Sequence, residues 1–323
     1  MRKAIPVRAI LILAFAIVCS SAHAEKARLT SHKEMMTLLA SIQVADNVLG
    51  QGRLHVVCIG RSVKGREIPL VIISDPGVPI EQTKRLFVIC RQHGDEPAST
   101  EAMLALIQDL AFSLDEGTND LLTKVSFFIV PMVNPDGADR YRRRNANGAD
   151  LNRDWLSLHQ PESRYVRAAI DAVLPEVIID QHELSPRSNR SDFIQCAGPK
   201  SGAWPGVVEE SIHIQNLVIG MLMTHHMEAR NLQIADQNPA RLAHRYFPIH
   251  GGTKTFLFET RQSGARAYYL DYRMRLHIVG TMTIAKYLAD REDELSQRIV
   301  EWRNNREWMR LTSRSKKPSR SAE

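Results

Sequence analysis

Two histidines and one glutamate form the first pattern in this 323-residue sequence that could carry out chemistry. His93 and Glu96 stand in the motif H-G-D-E, and His182 follows much later in the chain. Two imidazoles and one carboxylate are the protein ligands of an open catalytic zinc site, in which a fourth position stays free for water. Because His-x-x-Glu is common by chance and a lone histidine is more often structural, this prediction needs independent support.

A cluster suited to binding a carboxylate lies between the two parts of this ligand set. The planar guanidinium of arginine binds a carboxylate through two parallel hydrogen bonds, and an asparagine amide adds a donor. Arg143, Asn152 and Arg153 therefore predict a site for the terminal carboxylate of a substrate. The alternative is a solvated basic turn. It fits two of the three consecutive residues Arg142, Arg143 and Arg144, because neighbouring positions cannot all face one pocket.

Strands that alternate with amphipathic helices must position these side chains. Short apolar runs rich in Val, Ile and Phe predict buried strands at 54–59, 68–74, 86–90, 125–131, 177–180 and 255–258. Helical spacing predicts helices at 98–114, 162–173, 206–229, 272–289 and, as a charged surface helix, 291–311. This alternation predicts an α/β fold with helices on both faces of a central sheet, in one domain.

Three of the candidate residues come directly after predicted strands. They are His93, His182 and Glu259. Ligands of open α/β sheets bind beyond the carboxyl ends of the strands, so these positions favour a common site. The alternative for Glu259 is a salt bridge to Arg261 at the end of its strand.

Five sequence blocks occur in the order and location that one peptidase family has. They are R-Q-H-G-D-E-P-A-S at 91–99, N-P-D-G at 134–137, R-x-N-x-x-G-x-D-L-N-R-D-W at 143–155, D-Q-H-E at 180–183 and F-L-F-E-T-R at 256–261. Together they resemble the zinc metallocarboxypeptidases of the carboxypeptidase A family, the funnelins, over about residues 50 to 290. The resemblance implies a central mixed, largely parallel twisted sheet with helices on both faces, and one Zn²⁺ per chain.

The resemblance also implies how the zinc is held. His93, Glu96 and His182 match the metal ligands of the family, and Asp150 matches the carboxylate that orients the first ligand histidine. Such a partner fixes the tautomer of the imidazole and raises its basicity.

The remaining roles carried over from the family concern the substrate. Glu259 matches the general base, and Arg143 matches the arginine that stabilises the oxyanion. Asn152 and Arg153 match the residues that hold the terminal carboxylate. Tyr246 is offered as the tyrosine that closes over the substrate, since it is the only tyrosine between His182 and Glu259.

The composition sets limits on location and partners. Arg2, Lys3 and Arg8 precede an apolar run and A-H-A at 22–24, which predicts a signal peptide over 1–24 and export to the periplasm or medium. The body is expected at 25–311, with a basic disordered tail at 312–323. Eight of the 42 Lys and Arg residues and one of the 36 acidic residues lie in the first 24 and last 14 residues, so residues 25–309 carry a net charge of −1. A neutral body disfavours nucleic acid as a partner, and no later run predicts stable membrane insertion.

Five further residues are also open to prediction. Cys58, Cys90 and Cys196 remain after removal of the leader, and a Cys58–Cys90 disulfide is an alternative to buried free thiols. Glu183 is expected to be solvated. Lys254 is a candidate for a pocket that selects an acidic side chain.

The leading functional hypothesis is an exported zinc carboxypeptidase that releases C-terminal residues from peptides or murein stem peptides. The compact stretch between His182 and Glu259 favours small bacterial members of the family. The first alternative is an N-acyl amino acid deacylase of the aspartoacylase type, which shares the metal site. The second is a non-catalytic protein of the same fold that binds peptides or cell wall.

Overall fold

Eight strands form one mixed sheet within residues 29–237, 241–262 and 268–291, the part of the chain that the computed structural model describes. The strands are β1 (Leu54–Arg61), β2 (Glu67–Ile73), β3 (Lys84–Cys90), β4 (Val125–Val130), β5 (Val177–Leu184), β6 (Phe193–Ala197), β7 (Arg230–Ile234) and β8 (Lys254–Arg261). Their order across the sheet is β1-β2-β4-β3-β5-β8-β6-β7. The central strands β4, β3, β5 and β8 run parallel to one another, whereas β1, β2 and β6 introduce antiparallel pairings.

Helices cover both faces of this sheet. They are α1 (His32–Leu49), α2 (Ala98–Phe112), α3 (Glu116–Lys124), α4 (Pro135–Asp139), α5 (Pro161–Val173), α6 (Pro205–Thr224), α7 (Ala243–Tyr246) and α8 (Tyr268–Asp290). A 3₁₀ turn at Leu151–Arg153 and a π-helical turn at Phe247–Gly251 lie close to the candidate residues in sequence. The predicted α/β class, with a mixed and largely parallel sheet between helices, is confirmed.

Two hydrophobic clusters account for the stability of the layers. In β3 the side chains alternate, so Leu86 and Val88 pack with α1, α2, α6 and α8, whereas Phe87 and Ile89 pack with α5 and the π-helical turn. All four side chains are fully buried. A strand that is apolar at every position is typical of a parallel strand covered on both faces, which is why these runs could be recognised in the sequence.

The register of the parallel strands brings the candidate residues to one edge. Cys90, at the end of β3, pairs with Gln181 of β5, and His182 of β5 pairs with Glu259 of β8. The carboxyl ends of β3, β5 and β8 therefore meet, as their placement after predicted strands required.

The sequence-based prediction missed the strands β6 and β7 and the helices α1, α3, α4 and α7. Strands β6 and β7 are five residues each, and β7 alternates polar and apolar residues rather than forming an apolar run. Helix α1 carries a recognisable start, because Ser31 and Glu34 form a capping box, and Gly50 ends it with φ of 73°. These signals were present and were not used. The short polar helix α3 was also missed.

Several predictions fall on residues outside the described part. They concern the leader at 1–24, the surface helix beyond residue 291 and the basic tail at 312–323. Among the helices within residues 29–291 that are described, none has the length and apolar character needed to cross a membrane.

Candidate metal centre and active site

The three predicted metal ligands converge at the end of the sheet. Nδ1 of His93 lies 2.7 Å from Oε1 of Glu96, and Nδ1 of His182 lies 2.7 Å from the other oxygen of that carboxylate. The two Nδ1 atoms are 3.1 Å apart. All three side chains are buried, although they come from the loop after β3 and from β5. One point in space can therefore be reached by two imidazole nitrogens and one carboxylate oxygen.

This donor set fits zinc in type, number and spacing. Zinc prefers nitrogen and oxygen ligands at about 2.0 to 2.2 Å, so donors at the corners of a tetrahedron lie about 3.4 Å apart. In the structure one donor atom from each residue lies within 4.8 Å of the others. Although burial opposes it, the imidazoles of His93 and His182 lower the pKa of Glu96 to about 2. The carboxylate is therefore ionised and available to a cation.

A second carboxylate orients each histidine. Nε2 of His93 lies 3.0 Å from Asp150, as predicted, and Nε2 of His182 lies 2.9 Å from Asp180. Because each Nε2–H is donated to a carboxylate, each Nδ1 is left with its lone pair directed at the common point. Asp180 was not predicted. Its signal was available, since it lies two residues before His182 on the same face of β5.

A buried amide network surrounds Asp180 and His182. Nε2 of Gln92 donates to Asp180 at 2.6 Å, and Nε1 of Trp155 donates to Oε1 of Gln92 at 2.7 Å. The amide nitrogen of Asn152 lies 3.0 Å from Nε2 of His182, and its oxygen accepts the Ala243 N–H at 3.0 Å. Asn152, which was predicted to hold the substrate, thus also packs against a ligand histidine. Gln92 and Trp155 were not predicted.

The N-P-D-G block connects the metal loop to Arg143. The side chain of Asn134 donates to the backbone carbonyls of Gln92 and Arg143, at 3.2 Å each, and accepts the Gly137 N–H at 2.8 Å. A Cβ atom on Gly94 would lie 2.0 Å from the carbonyl carbon of Gly137, so the two backbones touch. This close approach requires glycine and fixes the loop that bears His93.

Arg143 lies beside the ligand set, as predicted. Its Nη1 is 3.1 Å from Nδ1 of His93 and 3.3 Å from Glu96, and its Nε donates to Asp150 at 3.1 Å. The side chain is 43% exposed, so a substrate can reach it. Arg153 is also exposed and donates to the Asn152 carbonyl at 2.8 Å. The site therefore has a cationic rim on one side.

Glu259 lies on the other side, next to His182 across the β5–β8 pair. Its Oε2 is buried and has no hydrogen-bond partner among the described residues. Burial, together with the charges of Glu96 and Asp180, raises the pKa of Glu259 to about 7, against the opposing effect of the two imidazoles. An unpaired carboxylate with this pKa is suited to accept and return a proton near neutral pH.

Comparison with known proteins finds similarity to carboxypeptidases. Residues 46–173 match the zinc carboxypeptidase family. The matched segment makes up less than half of the 323 residues and includes His93, Glu96 and Arg143. Carboxypeptidase 2 of Trichophyton rubrum is 25% identical over 288 residues, which are 79% of this chain and 53% of that protein. Carboxypeptidase E of Caenorhabditis elegans is 37% identical over a shorter stretch of 118 residues, 31% of this chain and 25% of that protein. The matched part of the chain thus spans about half the length of the T. rubrum protein and about a quarter of the C. elegans protein.

Solved carboxypeptidase structures share the fold of this chain. A metallo-carboxypeptidase from Burkholderia cenocepacia superimposes with a TM-score of 0.65 at 23% identity, over 80% of this chain and 69% of that one. Carboxypeptidase A from Helicoverpa armigera gives a TM-score of 0.67 at 18% identity, over 88% and 81% of the two chains. At these identities the likeness extends to the fold alone.

Glu183 is not solvated, so that expectation was wrong. The side chain is 2% exposed, accepts the Ala98 N–H at 2.6 Å and pairs with Arg273 of α8. Its backbone N–H donates to Oε2 of Glu96 at 3.1 Å. Burial raises the pKa of Glu183 to about 7, although Arg273 opposes the shift. Glu183 therefore links α8, the start of α2 and the metal loop.

Replacing Glu183 with Ala is expected to lower the free energy of unfolding by about 3 kcal/mol, because it leaves the buried charge of Arg273 without this carboxylate. Urea unfolding of the purified variant measures the loss. Glu67→Ala is the matched control, since the Arg61–Glu67 pair is exposed and should cost less than about 1 kcal/mol. Equal losses in the two variants would contradict the structural role of Glu183.

Glu259→Gln is expected to stabilise the metal-free protein in a pH-dependent way. Because the pKa of Glu259 rises from the ordinary 4.5 to about 7, its protonation favours the folded state fully below about pH 4.5. That contribution is lost as the pH rises through 7. The variant should therefore gain about 1 to 3 kcal/mol over the parent at pH 8, and less at pH 5. Urea unfolding in chelator at both pH values measures this gain, and the same gain at both would contradict the raised pKa.

Other predicted positions lie away from the metal ligands in contacts of their own. The ring of Tyr246 stacks under the guanidinium of Arg167, at 4.4 Å, and packs on Phe247. In this structure the ring therefore packs against the hydrophobic core beneath α5. Its proposed closure over the substrate stays a prediction. Lys254 is buried at the start of β8 and pairs with Glu210 at 3.1 Å. Since Glu259 lies at the other end of that strand, Lys254 does not line the candidate pocket.

The three described cysteines are free. Cys58 is exposed on β1, whereas Cys90 and Cys196 are buried. A Cys58–Cys90 disulfide is therefore wrong, and Cys58 is not a buried hydrophobic residue. Burial raises the pKa of Cys90 and Cys196, the latter to about 12, so both are inert thiols in the core.

Proposed function

We propose that this chain is a zinc-dependent carboxypeptidase that hydrolyses the peptide bond next to a free terminal carboxylate. The observation that carries the proposal is the convergence of His93, Glu96 and His182 within 4.8 Å, with Glu259 beside His182 in the sheet. A metal ligand set, an unpaired basic carboxylate and an exposed arginine on one edge are the parts that amide hydrolysis requires.

The residues divide the reaction between them. Zinc, held by His93, Glu96 and His182, would supply a Lewis acid for the scissile carbonyl and lower the pKa of water. Glu259 takes the proton of the attacking water and passes it to the leaving amine, which its unpaired and buried oxygen permits. Arg143, half-exposed beside the ligands, donates hydrogen bonds to the carbonyl oxygen as negative charge develops on it.

The substrate's terminal carboxylate is assigned to the cationic side of the site. Arg153 is exposed and keeps donors beyond its bond to the Asn152 carbonyl. A metallo-carboxypeptidase from Pseudomonas aeruginosa, with a TM-score of 0.63 at 24% identity over 83% of this chain and 70% of that one, was crystallised with (2-guanidinoethylmercapto)succinic acid. A succinic acid carries two carboxyl groups, and we propose that this chain likewise selects ligands by a carboxylate.

We further propose that the protein acts after export, on peptides or murein stem peptides. The basic and then apolar leader over 1–24 supports export. Free peptide ends and stem peptides both present the required terminal carboxylate.

Hydrolysis of paired peptides tests the proposed reaction. The zinc-loaded mature protein is incubated with a peptide, with the same peptide amidated at its C-terminus, with N-acetyl amino acids and with purified muropeptides, and products are identified by mass spectrometry. We expect release of the last residue from the free peptide and none from the amide. Cleavage of N-acetyl amino acids but not peptides would instead support the deacylase alternative, and zinc-free protein that binds peptides without cleaving them would support a binding role.

A further inference from the structure

A cavity of about 340 Å³ opens beside Glu259. It is formed by β6, β8, α7 and the loop before β6, and its lining residues are Arg190, Phe193, Gln195, Leu242, His244, Arg245, Leu257 and Glu259. Phe193 pairs with Glu259 across the antiparallel strands, and Gln195 pairs with Leu257. Leu257 and Glu259 share one face of β8 because they are two residues apart. The cavity therefore continues directly from the proposed base.

The position of the cavity determines what part of a substrate can enter it. If Glu259 returns its proton to the leaving amine, the leaving residue must lie against Glu259. The side chain of that leaving residue then lies next to this cavity. This step rests on the proposed function, since it takes Glu259 as the base.

The charges that line the cavity are mostly positive. Arg190 and Arg245 are cations, and Glu259 is the one carboxylate among the lining residues. The guanidinium of Arg245 is already paired with Asp236, which is not part of the lining. Within the described residues, the exposed guanidinium of Arg190 has no hydrogen-bond or ion-pair partner. Arg190 can therefore offer its full set of donors to a ligand.

We propose that this cavity receives the C-terminal side chain of the substrate and selects a carboxylate-bearing one, with Arg190 as the specificity-determining residue. Aspartate and glutamate are the side chains that it would take. The methylene groups of glutamate would contact Phe193, Leu242 and Leu257, and its carboxylate would meet Arg190 in the bidentate geometry that guanidinium favours. A C-terminal lysine would bring a third cation to Arg190 and Arg245, which disfavours it.

Four peptides that differ only at the last residue test the proposal. They end in Glu, Gln, Leu or Lys, and kcat/KM is measured with the zinc-loaded mature protein at low and high salt. Comparing the peptides that end in Glu and in Gln isolates the effect of side-chain charge on kcat/KM, since the two side chains have nearly the same shape. We expect kcat/KM to be at least about 10-fold higher for Glu than for Gln at low salt, with the ratio falling at high salt.

Two arginine variants assign the preference. Arg190→Gln should bring the ratio of kcat/KM for the Glu peptide to that for the Gln peptide close to one. Arg187→Gln is the matched control, because Arg187 is exposed in the same loop and does not line the cavity. A parent ratio of one or less, or an unchanged ratio in Arg190→Gln, overturns the proposal. If none of the four peptides is cleaved, the proposed function fails, and this inference fails with it.

Discussion

Glu259→Gln is expected to reduce kcat on a peptide with a free C-terminus by roughly 100- to 10,000-fold while the variant keeps its zinc. The amide has nearly the shape of the carboxylate, so the space beside His182 in the sheet is unchanged. It cannot accept a proton, however, and no other lining residue of the adjoining cavity is a carboxylate. Because the metal ligands are untouched, KM should change far less than kcat. Steady-state kinetics and elemental analysis of the same preparation measure both effects.

A matched variant shows whether the effect belongs to this position. Glu210→Gln removes a carboxylate that pairs with Lys254 at the opposite end of β8, so kcat should stay within about twofold of the parent. The assignment of Glu259 would be wrong if its variant retained parental kcat with zinc bound. It would also be undermined if zinc were lost, because the defect would then belong to metal binding.

The central part of the fold and the site could be predicted from the sequence for one reason. Strands β3, β5 and β8 are parallel and covered on both faces, so each contains an uninterrupted apolar run, and polar residues follow that run. The rule that ligands bind at the carboxyl ends of such strands then places His93, His182 and Glu259 together. The structure brings these three to one edge of the sheet.

The cavity beside that site could not be predicted in the same way. Its walls come from β6 and α7, which are five and four residues long. Elements this short carry too few residues to show a period of two or of 3.6. The charge of the pocket was consequently sought at Lys254, on the correct strand but at its far end, whereas Arg190 was not considered.

Two positions beside the site, Glu183 and Asp180, were misjudged for different reasons. Glu183 follows a ligand histidine and looks solvated from its neighbours alone, but its partner Arg273 belongs to α8. Asp180 was overlooked although the alternation of β5 places it with His182. The first error requires tertiary contacts to correct, whereas the second could have been avoided with the side-chain period of a strand.

His93→Ala is expected to weaken zinc binding by more than about 100-fold and to abolish measurable peptidase activity. Loss of a residue that merely orients a ligand typically costs 10- to 100-fold in metal affinity, and His93 contributes a donor atom itself. Asp150→Asn is expected to show that smaller loss of affinity, because Asp150 contacts Nε2 of His93 and supplies no ligand atom to the metal. Zinc affinity should therefore be highest in the parent, lower in Asp150→Asn and lowest in His93→Ala.

Competition with a chromophoric chelator measures the zinc affinity of all three proteins. Because zinc binds the folded state, the rise in melting temperature on adding zinc should be largest in the parent and smallest in His93→Ala. His213→Ala, an exposed histidine on α6, should match the parent. Parental zinc affinity in His93→Ala would remove this residue from the metal centre, and with it the coordination that the proposed chemistry requires.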